Sequence, residues 1–459
     1  MTRRPHLPLL LPAFVLALAA GGTACSSDSN HLTHMMSSFN FAWDWTGIVG
    51  TGQSLSVGAF GTPVIATMQP YNNMKLSFGG ATVAPPFDPT ISSLALVPLT
   101  EPLRATATSY PSAYPANLNG ETPHTAMADQ LTAMAMDQAM HDLISIHTVV
   151  GESGQPLTVI QKNPSNLPTT GTSGRAYDAT IFEATAITRL AKDAGKSYGI
   201  GGIVLTHGES DAGNTVYADG IYQLLTDYNQ DLAAITGQTT KFPMLASQQN
   251  SVPADTGSVS ISAVQVWKAS TDHPGEIVCT GPKYQYSYAA DTMSHVHMGP
   301  LEYEKLGEKT AQVYFERVVL GHDWKPLQPT SAELSGNVVT VHFHVPVPPL
   351  TWDDNLPPPH GTMIPQWANG RGFEVLWAGS RKTIDMVEIV GADTVKITCH
   401  DDLSGGEVVV GYAVTAEGGT PPTDQTARWG HLRDSDPFVG SVTMAAQPNY
   451  AIAFQMPLN

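Results

Sequence analysis

The stretch "GIGGIVLTHGESDAGN", residues 199–214, runs from glycine and aliphatic residues, Gly199–Thr206, straight into a cluster of polar side chains. Helical patterns flank it, "DATIFEATAITRLAKDAG" at 178–195 and "ADGIYQLLTDYNQDLAAI" at 218–235. The run itself reads as a strand of strand length, too short for a helix of its own. The same alternation continues outward. Strands are expected at "TGIVG" (46–50), "SIHTVV" (145–150), "FPMLAS" (242–247) and "EIVC" (276–279). A helix is expected in 121–144, with Thr122 as its cap, Pro123 at the first helical position and Met127, Leu131 and Met134 on one face. The last helix opens at Pro300, where Tyr303, Leu306, Thr310 and Val313 recur at helical spacing. Parallel neighbours need crossover connections, so alternating strands and helices imply a parallel sheet covered on both faces. The expected fold class is α/β, a doubly wound parallel sheet of flavodoxin-like, three-layer αβα form, over residues 39–322.

Beyond "HDWKPLQPT" (322–330) the texture changes. "NVVTVHFHV", "GFEVLWAG", "TVKITCH", "EVVVGYAV" and "YAIAFQM" are short β-rich runs separated by Gly, Pro, Asp and Asn. Residues 328–459 are therefore expected to form a β-sandwich-like accessory domain.

Charge and composition exclude some functions. The 459 residues carry 22 Lys and Arg against 40 Asp and Glu, a net charge of −18, which argues against a broad nucleic-acid surface. The first 24 residues read as a signal peptide: Arg3 and Arg4, an apolar stretch from Leu7 to Ala20, then small residues up to Ala24. The small residues before Cys25 are like a bacterial lipoprotein processing site, in which Cys25 becomes lipidated; ordinary secretion after Ala24 is the alternative. Residues 25–38 would then be a tether. The expected location is the bacterial cell envelope, on the outer membrane or cell surface through the lipid anchor, or secreted. Cys279 and Cys399 leave two options open, one disulfide or two free buried thiols.

Ligands of open α/β sheets gather at the carboxyl ends of the strands. Three segments fall there. In "GTGQSLSVG" (50–58), Ser54 follows a strand among Gly50, Gly52 and Gly58, though such a turn is often only a turn. In "HGESDAGN" (207–214), His207, Glu209, Ser210 and Asp211 offer donors and acceptors, while Asp211 could simply cap the next helix. His207 and Glu209 have no third ligand nearby in sequence, so no metal is expected. In "SHVHMGPLEYEKLG" (294–307), His295 and His297 precede the last helix. A serine in the first strand's loop and a histidine before the last helix supply a nucleophile and its base from opposite ends of the domain.

Taken in order, "GQS" (52–54), "HGESDA" (207–212) and "HVHMGPLEYEKLGEKTA" (295–311) resemble the SGNH-hydrolase superfamily, in particular its carbohydrate-esterase branch with sialate O-acetylesterases and acetylxylan esterases. The resemblance covers residues 45–320. It implies that Ser54 is the nucleophile and His297 its general base, with His295 a non-catalytic neighbour. His207 stands where the family has a Gln that helps form the oxyanion hole, and its ring N–H would donate there. The Ser54 amide and Gly154 would supply the remaining donors. Ser294 replaces the family's Asp, which leaves Asp291, Glu209, Asp211 or a backbone carbonyl to orient His297, or a dyad without an acid. The implied activity is an esterase that removes O-acetyl groups from carbohydrate through a Ser-His acyl-enzyme, with no cofactor. Its implied partners are an acetylated carbohydrate and, through Cys25, a membrane. A non-catalytic glycan-binding lipoprotein and an esterase for other short acyl chains are the alternatives.

Overall fold

The computed structural model describes residues 39–104, 114–115, 120–163, 171–288, 295–361, 363–419 and 424–458. Residues 1–38, read above as an expected signal peptide and a tether with Cys25, and Asp291 and Ser294 lie outside the described residues.

Seven strands build the main sheet: β1 (Trp45–Gly52), β2 (Met74–Ser77), β3 (Ala95–Pro98), β4 (Ser145–Gly151), β5 (Tyr198–Thr206), β6 (Met244–Ser247) and β7 (Ile277–Gly281). Their order across the sheet is β3-β2-β4-β1-β5-β6-β7. All neighbours are parallel except the edge pair β2 and β3. Every residue of β4 and of β5 is buried, which explains why these strands read as continuous runs instead of alternating ones.

The intervening helices are α1 (Pro123–Ala139), α2 (Leu157–Ile160), α3 (Arg175–Asp193), α4 (Tyr217–Thr236), α5 (Ile261–Asp272) and α6 (Pro300–Tyr314). The start of α1 follows from local chemistry: the Thr122 side chain accepts from the His124 amide, and Pro123 fills the first position. Successive strand residues point to opposite faces. Val149 packs in a cluster with Ala128 of α1, whereas Val150 belongs to the core shared with α3, α4 and α5. Helices therefore cover both faces of the sheet, with α1 and α6 packed closely together on one of them. Gly50 is required on that face, because a Cβ there would lie 2.1 Å from the His124 ring.

The C-terminal part contains two four-stranded antiparallel sheets. One orders strands 384–389, 394–399, 338–344 and 328–335; the other orders 380–381, 373–377, 408–412 and 454–458. Segments of the C-terminal part outside these sheets are hydrogen-bonded to the α/β part at buried and part-buried positions. Glu308 of α6 accepts from the Val442 and Thr443 amides at 2.6 and 2.8 Å and from Gln447 at 2.7 Å. Gln248, just beyond β6, donates to Ala453 O and accepts from Ala453 N, both at 2.8 Å. Asn40–Asn459 form one compact unit. Cys279 and Cys399 are both free and buried.

Candidate active site

The polar residues of interest converge at the carboxyl ends of β1, β4 and β5. The turn after β1 is shaped by its neighbours. Gly52 has φ 144°, and a Cβ on it would meet the Thr206 carbonyl at 2.1 Å, so only glycine lets the chain leave the sheet here. Ser54 then opens a tight turn in which its carbonyl accepts from Ala59 N at 3.0 Å and Val57 N at 3.3 Å. Tyr303 of α6 donates to Ala59 O at 2.7 Å, and Leu55 packs with Tyr286, Tyr288, Met298, Tyr303 and Leu306. The helix that follows the candidate base thus also holds the turn that carries the candidate nucleophile.

Across this contact, His297 Nε2 lies 2.9 Å from Ser54 Oγ, joining residues 243 apart in sequence. Both residues are buried, Ser54 8% exposed and His297 5%. The distance is that of an O–H···N hydrogen bond, the arrangement in which an imidazole can take the hydroxyl proton as the oxygen attacks. Phe60, at the end of the same turn, stacks on the His297 ring with centroids 4.7 Å apart and planes 22° from parallel. Phe60 has φ 63° and is 49% exposed. A bulky residue in the left-handed region is strained, and strain of this kind is kept where the surroundings fix it. Here the Tyr303 bond to Ala59 O and the 2.8 Å bond from Thr62 N to Phe60 O hold the backbone on both sides.

His295 takes a different position. It also has a left-handed backbone, φ 64°, and its buried Nδ1 meets no partner among the described residues.

The second segment, 207–211, is built as a support. Gln155 O accepts from His207 Nε2–H at 3.0 Å, which leaves Nδ1 to accept from Tyr217 Oη at 2.8 Å. Burial pushes the ring below the ordinary histidine range, partly offset by Asp211. A neutral ring with both nitrogens engaged has no N–H left for an oxyanion, which corrects the expectation for His207. Asp211 accepts from the Leu157 amide at 2.6 Å and from Asn214 at 2.9 Å. It therefore caps α2, a helix distant in sequence, and not the helix that follows it. Glu209 accepts from Lys283 Nζ at 2.7 Å, a fully buried ion pair. The hydrogen bonds of Asp211 and of Glu209 Oε1 thus go to Leu157, Asn214 and Lys283, while Glu209 Oε2 is buried with no partner among the described residues. Gln53 ties the two segments together by accepting from Ser210 N at 3.3 Å.

Gly154 lies exposed in the turn after β4, with φ 69° and open space around its Cα. The Ser54 amide meets no acceptor among the described residues, so this N–H is available to a bound oxygen. Among the described residues no three His, Cys, Asp or Glu side chains converge as metal ligands would.

The fold is similar to that of solved structures. A carbohydrate acetylesterase from Xanthomonas citri aligns over 90% of this chain and 80% of its own length, with TM-score 0.54 and 12% identity. The shared property is the fold. A protein from Arabidopsis thaliana (TM-score 0.40, 14% identity, 60% of this chain and 99% of its own) and NanS (0.37, 14%, 59% and 97%) also align. No protein-family description and no curated protein matches the sequence.

Three contributors had no sequence signal strong enough to single them out. Phe60 is an ordinary aromatic until its backbone turns it onto His297. Lys283 and Tyr303 act through partners 74 and 244 residues away.

Proposed function

We propose that the protein is an exported serine esterase, lipid-anchored through Cys25, that removes O-acetyl groups from carbohydrate on a flavodoxin-like three-layer scaffold. The observation that carries the reading is the 2.9 Å contact between His297 Nε2 and Ser54 Oγ at the carboxyl edge of a parallel sheet. Ser54 Oγ attacks the acetyl carbonyl while its proton passes to His297 Nε2. The tetrahedral oxyanion receives the Ser54 amide, with the turn at Gly154 as the second source of donors. Collapse breaks the ester bond, His297 returns the proton to the departing sugar hydroxyl, and the acetyl group stays on Ser54. Water, deprotonated by His297, then releases acetate and restores the serine.

Phe60 adds to this cycle. Its ring face lies against the imidazole, where it keeps the ring plane fixed and favours the imidazolium formed after proton transfer. The mature protein should release p-nitrophenol from p-nitrophenyl acetate and acetate from an acetylated xylan. Wild-type turnover that survives Ser54→Ala overturns the assignment.

A further inference from the structure

A second concave site lies at the other end of the sheet. Trp45 at the start of β1, the residues just before β4 (Ile144) and β5 (Lys196 and Ser197), and the edge pair β2 and β3 surround a cleft of about 800 Å³, within the size range of small-ligand sites. β1 alone puts it about 23 Å from the Ser54 turn, seven steps of about 3.3 Å each. It belongs to no part of the chemistry described above.

Its lining combines two kinds of group. Trp43, Trp45 and Tyr71 are half-buried aromatic side chains in the cleft wall. Tyr71 also keeps its proton, because burial and the nearby Asp129 push the phenol up, so it remains a hydroxyl donor. Around the rim, Asn72 donates to Asp142 at 3.1 Å, which leaves the amide oxygen and the second carboxylate oxygen for another partner. Asp44 accepts from the Ser197 amide and hydroxyl at 2.9 and 2.7 Å, with Lys196 at 3.9 Å. These polar groups already hold one another through hydrogen bonds at the rim.

The combination selects among ligand classes. A lipid needs an unbroken apolar lining, and this rim carries amide and carboxylate groups. A nucleotide or other polyanion needs excess positive charge, and the cleft has two carboxylates against one ammonium in a chain of net charge −18. A pyranose offers C–H faces that lie on aromatic rings and an edge of hydroxyls that both donate and accept. We infer that this cleft is a second binding site for an uncharged polysaccharide chain, which holds the polymer while a separate stretch or neighbouring chain reaches Ser54. The gain is one of effective concentration: a tethered polymer presents its esters repeatedly without leaving. The choice of ligand class rests on the carbohydrate reading of the active site, whereas the existence of the cleft does not.

The test uses the mature chain with Ser54→Ala, which binds without turnover, titrated with xylohexaose and with acetylated xylan by calorimetry. Tyr71→Ala combined with Asn72→Ala is expected to weaken binding of both by about tenfold or more, the loss of roughly one good contact. Tyr71→Trp, which keeps an aromatic face, is expected to retain binding. In the Ser54 background the same cleft substitutions should leave p-nitrophenyl acetate turnover unchanged, which also certifies folding, while slowing acetate release from the polymer. Unaltered affinity in the double variant, no binding of either probe, or tighter binding of polysialic acid than of xylan overturns the proposal. Failure to cleave p-nitrophenyl acetate would instead overturn the esterase reading and leave the cleft to be judged by the titration alone.

Discussion

Two buried histidine segments stand at the same edge of the sheet. At 207–211 the imidazole is enclosed by Tyr217 Oη and the Gln155 carbonyl, partners that hold it neutral and still. At 295–298 the imidazole of His297 meets Ser54 Oγ with Nε2 and the face of Phe60 with its ring. Both histidines are almost fully buried, so burial does not separate them; the partner does. A phenol and a carbonyl make a strut. An aliphatic hydroxyl 2.9 Å from the ring is the pairing we propose as nucleophile and base.

Substitutions can sharpen or break that contrast. Ser54→Ala should lower esterase turnover by about a thousandfold or more, since the acyl-enzyme cannot form. His297→Gln should cost nearly as much, because the two residues act as one unit, with their losses far from additive in the double variant. Phe60→Ala should lower kcat by about tenfold with less change in KM, as expected if the stack steadies the imidazolium rather than the ground-state substrate. Esterase kinetics on p-nitrophenyl acetate measure all three.

His207→Gln should behave in the opposite manner, with a loss in stability of about 1–3 kcal/mol from the unsatisfied Tyr217 and Gln155 groups and little change in turnover per folded molecule. Its pH signature follows from linkage. The folded ring is held below the ordinary range near 6.5, so the unfolded chain takes up the proton first as pH falls. The stability that His207 contributes is therefore fully present above about pH 6.5 and is lost as pH drops below it. Urea unfolding between pH 7 and pH 5 should show a steeper decline for wild type than for His207→Gln. His295→Ala, at a ring whose Nδ1 has no hydrogen-bond partner among the described residues, should change turnover by less than about threefold; a loss equal to that of His297→Gln would exchange the roles of the two histidines.

Much of the scaffold was legible in the sequence. Thr122 and Pro123 announced α1, Pro300 announced α6, and the uninterrupted apolar runs announced strands buried on both faces. Helix α5 was not, because "ISAVQVWKASTD" carries β-branched residues at 261, 264, 266 and 271 that mask its helical character. The edge strands β2 and β3 are four residues each, too short to give a period. At the site, motif order paired Ser54 with His297, but spacing could not tell a strut from a donor at His207. That distinction depends on Tyr217 and Gln155, which reach the ring from separate elements. The same holds for the C-terminal sheets: nothing in the sequence of residues 440–447 announces that their loop wraps Glu308 on the helix behind His297.

The central claim is that Ser54 is a nucleophile activated by His297. The most direct measurement is peptide mapping by mass spectrometry after reaction of the mature protein with a fluorophosphonate. The prediction is a single adduct on Ser54 in wild type and in His207→Gln, and none in His297→Gln. An unlabelled Ser54 in the wild-type protein, or equal labelling when His297 is replaced, would contradict it.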